Sequence, residues 1–293
     1  KATPGQIFET ESQYNYIQVL EEDGYRYLRL NEGQGIHSVY HPTEINYYGP
    51  WKQFLVAPFF NRPPVVPDDV QSIAILGLAG GTIVRQATEV FGPIPIDGFE
   101  IDGRIISIGE QYFGMNQPNL NPIAQDGRWG LEHSPRKYDL IALDAYRPPY
   151  IPWHLTTLEF FQIVQEHLTK DGAVAINVGR APEDRRLIDT MVGTLKQVFP
   201  AVYVMDVPET FNSIIYATQQ PTSVDNLYLN LFELSESQNI HPLLIEALQI
   251  TVLNLQPTPE SSTIFTDDIA PIEWITNNMV LRFMLFGDME ALQ

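Results

Sequence analysis

No cysteine occurs among the 293 residues. Disulfides, thiolate zinc sites and cysteine nucleophiles are thereby excluded, and the composition suits a reducing compartment. Basic residues are scarce: 17 Lys and Arg stand against 36 Asp and Glu, for a formal net charge of −19. A field of that sign repels phosphate backbones and argues against nucleic acid as a partner. It attracts cationic small molecules, and it also serves solubility. No apolar run approaches the roughly 18 residues that cross a bilayer. The polar opening, Lys1-Ala2-Thr3-Pro4, lacks the apolar stretch of a signal peptide. A cytoplasmic location is expected. The histidines show no ligand spacing, so no metal is expected. The first residue is Lys rather than Met, which reads as a piece of a longer chain.

What is present is enough apolar material for a core, 44% of residues, and a change of pattern along the chain. Residues 1–60 read as β: Tyr14–Leu20 and Tyr25–Leu30 flank the turn signal Glu22-Asp23-Gly24, and His37–Tyr40 follows a second turn at Gly33-Gln34-Gly35. The Pro-rich run 61–67 marks a boundary. Beyond it, short apolar strands alternate with helical stretches. Strands are expected at 72–78, 94–101, 138–143 and 173–178, and a closing pair at 202–207 and 213–217. Helices are expected at 82–91, 104–112, 158–168 and 187–198. Such alternation predicts a largely parallel sheet covered on both faces. The expected division is a small β domain over 1–61, a Rossmann-like α/β domain over 62–220 and a mostly helical extension over 221–293.

The polar residues that stand at strand ends carry the chemistry. The first strand of the alternating region runs into Gly77-Leu78-Ala79-Gly80-Gly81-Thr82 and then a helix. A glycine turn there admits close backbone approach to a ligand, and the helix start offers free N–H groups. Taken alone, the same pattern fits a tight turn with no ligand. Glu100 and Asp102 end the next strand about 20 residues on, where an acidic side chain accepts hydrogen bonds from ribose hydroxyls. Asp126-Gly127 follows a weak third strand; an Asp there can take the exocyclic amine of adenine, although Asp-Gly in isolation is a turn. Asp144 ends the strand at 138–143, where open α/β sheets place their chemistry. The Pro- and aromatic-rich stretch behind it suits a stiff lid.

Together, Gly77–Thr82, Glu100-Ile101-Asp102, Asp126-Gly127-Arg128 and Asp144 resemble the spermidine synthase (polyamine aminopropyltransferase) family, and Ser12-Gln13-Tyr14-Asn15 resembles part of that family's small β domain. Segments 144–157 and 266–273 are similar to a bacterial branch in which such a domain follows a multi-span membrane region. The resemblance implies a doubly wound, mostly parallel, Rossmann-like sheet of the S-adenosylmethionine-dependent transferase type. It implies decarboxylated S-adenosylmethionine or S-adenosylmethionine as cofactor, a small-molecule amine as substrate, homodimers, and membrane tethering through a domain upstream of Lys1. Asp144 is then the catalytic carboxylate. Gly77, Gly80, Gly81, Glu100, Asp102, Asp126 and Gly127 hold the cofactor, and Tyr47 and Arg147 line the substrate side. The sequence also departs from the family. Ala79 and Arg147 stand where the family carries aspartates, Asn15 where it has Gln, and Tyr48 where it has His. A guanidinium at 147 repels a cationic amine and suits a carboxylate, such as that of intact S-adenosylmethionine. Methyl or aminocarboxypropyl transfer therefore remains an alternative, and a non-catalytic adenosyl sensor a second one. Within 266–273, Asp267 and Asp268 read either as helix-capping residues or as acids facing the cleft.

Overall fold

The computed structural model describes residues 3–31, 35–146, 151–181 and 184–286. Four antiparallel strands, β1 (Gln6–Glu11), β2 (Tyr16–Glu22), β3 (Tyr25–Leu30) and β4 (Ile36–Tyr40), form a small sheet in sequence order. The alternating pattern of 25–30 places Leu28 and Leu30 inward, beside Ile17 and Val19 of β2.

An eight-stranded sheet follows. Its strands are β5 (Ile73–Leu76), β6 (Ile96–Glu100), β7 (Leu120–Ala124), β8 (Tyr138–Leu143), β9 (Leu168–Gly179), β10 (Ala201–Asp206), β11 (Asn212–Thr218) and the short β12 (Leu255–Gln256). Their spatial order is β12-β10-β11-β9-β8-β5-β6-β7. The run β9-β8-β5-β6-β7 is parallel, while β11, β10 and β12 add on antiparallel. Central strands buried on both faces read as unbroken apolar runs, which is why Ile73-Ala74-Ile75-Leu76 and the core of β8 were visible in the sequence.

Helices cover both faces: α1 (Thr82–Phe91), α2 (Gly103–Tyr112), α3 (Gly127–Glu132), α4 (Leu158–Glu166), α5 (Arg186–Leu195), α6 (Val224–Ser235), α7 (Pro242–Asn254) and α8 (Ile272–Phe286). One core cluster joins the sheet to α1, α6 and α7; the other joins it to α4, α5 and α8. Residues 51–60 differ from the β reading of the first 60 residues. They wind as a 3-10 helix with all ten residues buried. A segment buried on every side, and apolar from Phe54 to Phe60, suits a wedge between layers better than a half-exposed strand. The segment after 221 forms α6, α7 and α8 and also supplies β12 to the sheet edge.

The strand order reverses between β5 and β8. In open α/β sheets that switch point is where the carboxyl ends of strands leave a crevice for ligands. Leu76 pairs with Leu143, so Gly77 and Asp144 leave the sheet side by side.

Candidate active site at the sheet switch point

The register brings the strand-end residues to one edge. Gly77 is left-handed at φ +89, and a Cβ there would lie 2.5 Å from the Asp144 carbonyl oxygen. Only glycine lets the β5 turn pass so close to β8. Ala79 is also left-handed, at φ +46, and its N–H donates to Glu100 Oε2 at 3.0 Å. Gly80 N–H donates to Ser38 Oγ of β4 at 2.8 Å. Gly81, at φ +80, opens α1. Gly127 opens α3 against Leu76. The small sheet thus reaches into the glycine turn.

Glu100 is buried, and its Oε1 accepts from Asp102 N–H at 3.1 Å. Burial pushes the carboxyl up to about 7, against the opposing pull of the backbone donors. A ligand that donates hydroxyl hydrogen bonds would favour the ionised form again.

Asp102, expected in the cofactor set, is held between the two sheets. It is 2% exposed. Its Oδ1 caps α2 through Arg104 N–H at 3.0 Å. Its Oδ2 accepts Ser12 Oγ at 2.5 Å and Asn15 Nδ2 at 2.9 Å. The side chain is a peg between the small sheet and the large one. Tyr47, expected on the substrate side, is likewise drawn inward. It is 4% exposed, donating to Glu44 O at 2.5 Å while accepting from Arg85 Nη1 at 2.8 Å and His41 N–H at 3.1 Å. Three partners saturate the hydroxyl. The neighbouring Tyr48 is exposed, and its hydroxyl spans to Pro208 O at 3.1 Å, on the loop between β10 and β11. Arg147 lies outside the described residues.

Asp144 sits deep but not sealed. Asn177 of β9 donates to its Oδ1 at 2.9 Å, and Asn212 of β11 donates to Asn177 Oδ1 at 2.8 Å. Loss of hydration pushes the Asp144 carboxyl up to about 7, with the Asn177 hydrogen bond pulling the other way. Asp126 caps α3: Oδ1 accepts from Arg128 N–H and Trp129 N–H, each at 3.0 Å. Its Oδ2 lies 2.8 Å from His154 Nε2, and that bond, ahead of other influences, holds the Asp126 carboxyl below the ordinary value. Sequence reasoning missed Asn177 and His154. An amide inside the otherwise apolar run of β9 was the available signal for the first; His154 gave none.

Residues 66–227 match the family model described as the spermine/spermidine synthase domain. The chain belongs to this spermine/spermidine synthase family. It is 30% identical over 281 residues to a probable polyamine aminopropyl transferase of Bifidobacterium longum, covering 91% of this chain and 61% of that protein. The chain thus spans about three fifths of that relative's length. It is 30% identical over 222 residues to a polyamine aminopropyltransferase of Vibrio vulnificus, covering 71% of this chain and 70% of that one. Among solved structures, a spermidine synthase in complex with the transition-state analogue AdoDATO superposes with a TM-score of 0.64 at 17% identity, covering 84% of this chain and 83% of that one. The fold is therefore that of a spermidine synthase: a mostly parallel α/β sheet with a small antiparallel sheet before it. Within this spermine/spermidine synthase member, no helix among the described residues is long and apolar enough to cross a membrane.

Proposed function

We propose that this chain transfers an aminopropyl group from decarboxylated S-adenosylmethionine to a small amine. Asp144 carries the reading: a carboxylate at the switch point, braced by Asn177 and raised to about 7. An acceptor amine with an ordinary pKa near 10 must shed a proton before its lone pair can attack. A desolvated carboxylate near 7 is a better base than an exposed one, and it is still ionised in about half of molecules at neutral pH. The amine nitrogen attacks the methylene carbon beside the sulfonium. An N–C bond forms as the C–S bond breaks, and the sulfur keeps the electron pair and leaves as neutral methylthioadenosine. The proton passes from nitrogen to Asp144 and then to solvent.

Glu100 suits the ribose, because its buried carboxylate gains from hydroxyl donors. Asp126 suits the adenine amine. The glycine turn lets backbone approach the donor. Ala79 offers no acid to the aminopropyl ammonium, so the donor's grip there rests on other groups.

The test is to incubate the chain with decarboxylated S-adenosylmethionine and a panel of amines, following methylthioadenosine by mass spectrometry beside Asp144→Asn. Product that depends on Asp144 supports the reading. S-adenosylhomocysteine formed from intact S-adenosylmethionine would select methyl transfer instead. Tight adenosyl binding without any product would select a sensor.

A further inference from the structure

The segment 266–273, expected either to cap a helix or to supply cleft acids, brings Asp267 against Arg128 of α3. Thr266 and Ile269 close on one another through reciprocal backbone hydrogen bonds of 3.1 and 3.0 Å, making a tight loop that presents Asp267. Both oxygens of Asp267 meet the Arg128 guanidinium, at 2.7 Å each. Thr157 Oγ1 donates to Asp267 Oδ1 at 2.7 Å, and Asp267 N–H donates to Glu159 Oε2 at 2.9 Å. Arg128 Nη1 also donates to the His154 carbonyl at 3.1 Å. His154 Nε2 then reaches Asp126 Oδ2. A continuous chain of polar contacts runs from the C-terminal loop through Arg128 and His154 to Asp126.

We propose that Asp267 is a positioning residue for the adenine end of the cofactor, acting through Arg128 and His154 on Asp126. The inference rests on the reading of Asp126 as the adenine partner. The element carrying Asp126 needs outside support: β7 is the edge strand with a half-exposed pattern, and α3 has only six residues. A binding carboxylate must be held to within about half an ångström to select its ligand. Arg128 fixes the His154 backbone, so the imidazole meets Asp126 from a set direction. A carboxylate oxygen has two lone pairs, so His154 orients Oδ2 without exhausting it. Asp267 holds Arg128 as a fork on a fork, a geometry lysine cannot copy.

The experiment titrates the whole chain, Asp267→Asn and Arg128→Lys with methylthioadenosine and with methylthioinosine, in which a carbonyl replaces the exocyclic amine. Melting temperatures are measured in parallel. The wild type should prefer the adenine compound. Each variant should lose about fivefold in affinity for it, the scale of one good bidentate pair, and little for the inosine compound. The preference ratio therefore shrinks, which general loosening of the fold does not produce. Variants that keep the wild-type ratio overturn the inference while leaving the Asp126 reading intact. Equal loss for both compounds with a lowered melting temperature assigns Asp267 a purely structural role and also overturns it. A wild type that binds both compounds equally removes the Asp126 reading and the inference with it. If Asp267→Asn does not fold, Arg128→Lys carries the same test.

Discussion

A carboxylate becomes a useful base near neutral pH when water is withdrawn from it, and that has a cost in stability that can be measured. Asp144 is pushed up to about 7 by burial. Its unfolded counterpart titrates near 3.9. Between these values the folded state keeps a proton that the unfolded state has lost, so unfolding free energy falls as pH rises from about 4 to 7. Above 7 the full cost of a buried charge is present. Asp144→Asn removes that cost. Urea denaturation should therefore find the variant more stable than wild type at pH 8, by on the order of 2 kcal/mol once partial solvent access is discounted. The difference should vanish below about pH 4. Activity moves the opposite way. Under the proposed function, removing Asp144 as general base should lower kcat about 10²–10⁴-fold, read from methylthioadenosine release. A variant that lost stability at pH 8 would mean that Asp144 is not desolvated as described.

Among the secondary-structure elements, β9 and the β5 turn set the environment of that carboxylate. Asn177 is placed beside Asp144 by the pairing of Leu143 with Ile176, and its hydrogen bond favours the ionised form. Asn177→Leu should raise the Asp144 pKa further. The acid limb of the kcat/KM profile in the free enzyme then moves to higher pH; an unmoved limb would exclude Asn177 from tuning the base. Gly77→Ala tests the turn. A Cβ there meets the Asp144 backbone at 2.5 Å with φ at +89, so unfolding free energy is expected to fall by about 1–3 kcal/mol, read as a lower urea midpoint. The sequence exposed much of this layer. The apolar run of β8 leads directly into Asp144 and β6 ends on Glu100, so both could be read without coordinates. Residues 51–60 were misread because the apolar run 54–60 has no period that separates strand from buried helix. The contacts of Tyr47 and Asp102 were hidden for a related reason. Strand-end or loop position was visible, but Arg85, a partner of Tyr47, and Ser12 with Asn15, partners of Asp102, lie 38 to 90 residues away. The same distance in sequence hid the pairing of Arg128 with Asp267, 139 residues apart.

At the scale of the molecule, two sheets share one site. The small sheet docks on α2 through Ile17, Val19, Leu28 and Leu30 against Ile105, Ile108 and Phe113. Asp102 pins the joint, and Ser38 touches the glycine turn, so the candidate site is assembled from both sheets. Around it lies a chain with a formal charge of −19. A net field of that size raises the local concentration of cations near the protein, and salt screens it over a Debye length of about 8 Å at physiological ionic strength. Decarboxylated S-adenosylmethionine and a protonated amine are both cations; methylthioadenosine is neutral. Raising sodium chloride from about 20 to 200 mM should therefore lower kcat/KM for the cationic pair several-fold, mainly through KM, because the screened quantity is encounter and binding. The affinity for methylthioadenosine should stay nearly constant over the same range. Equal salt sensitivity for charged and neutral ligands would trace the effect to a change in the fold. No sensitivity for either would assign the negative charge to solubility rather than to drawing substrate toward Asp144.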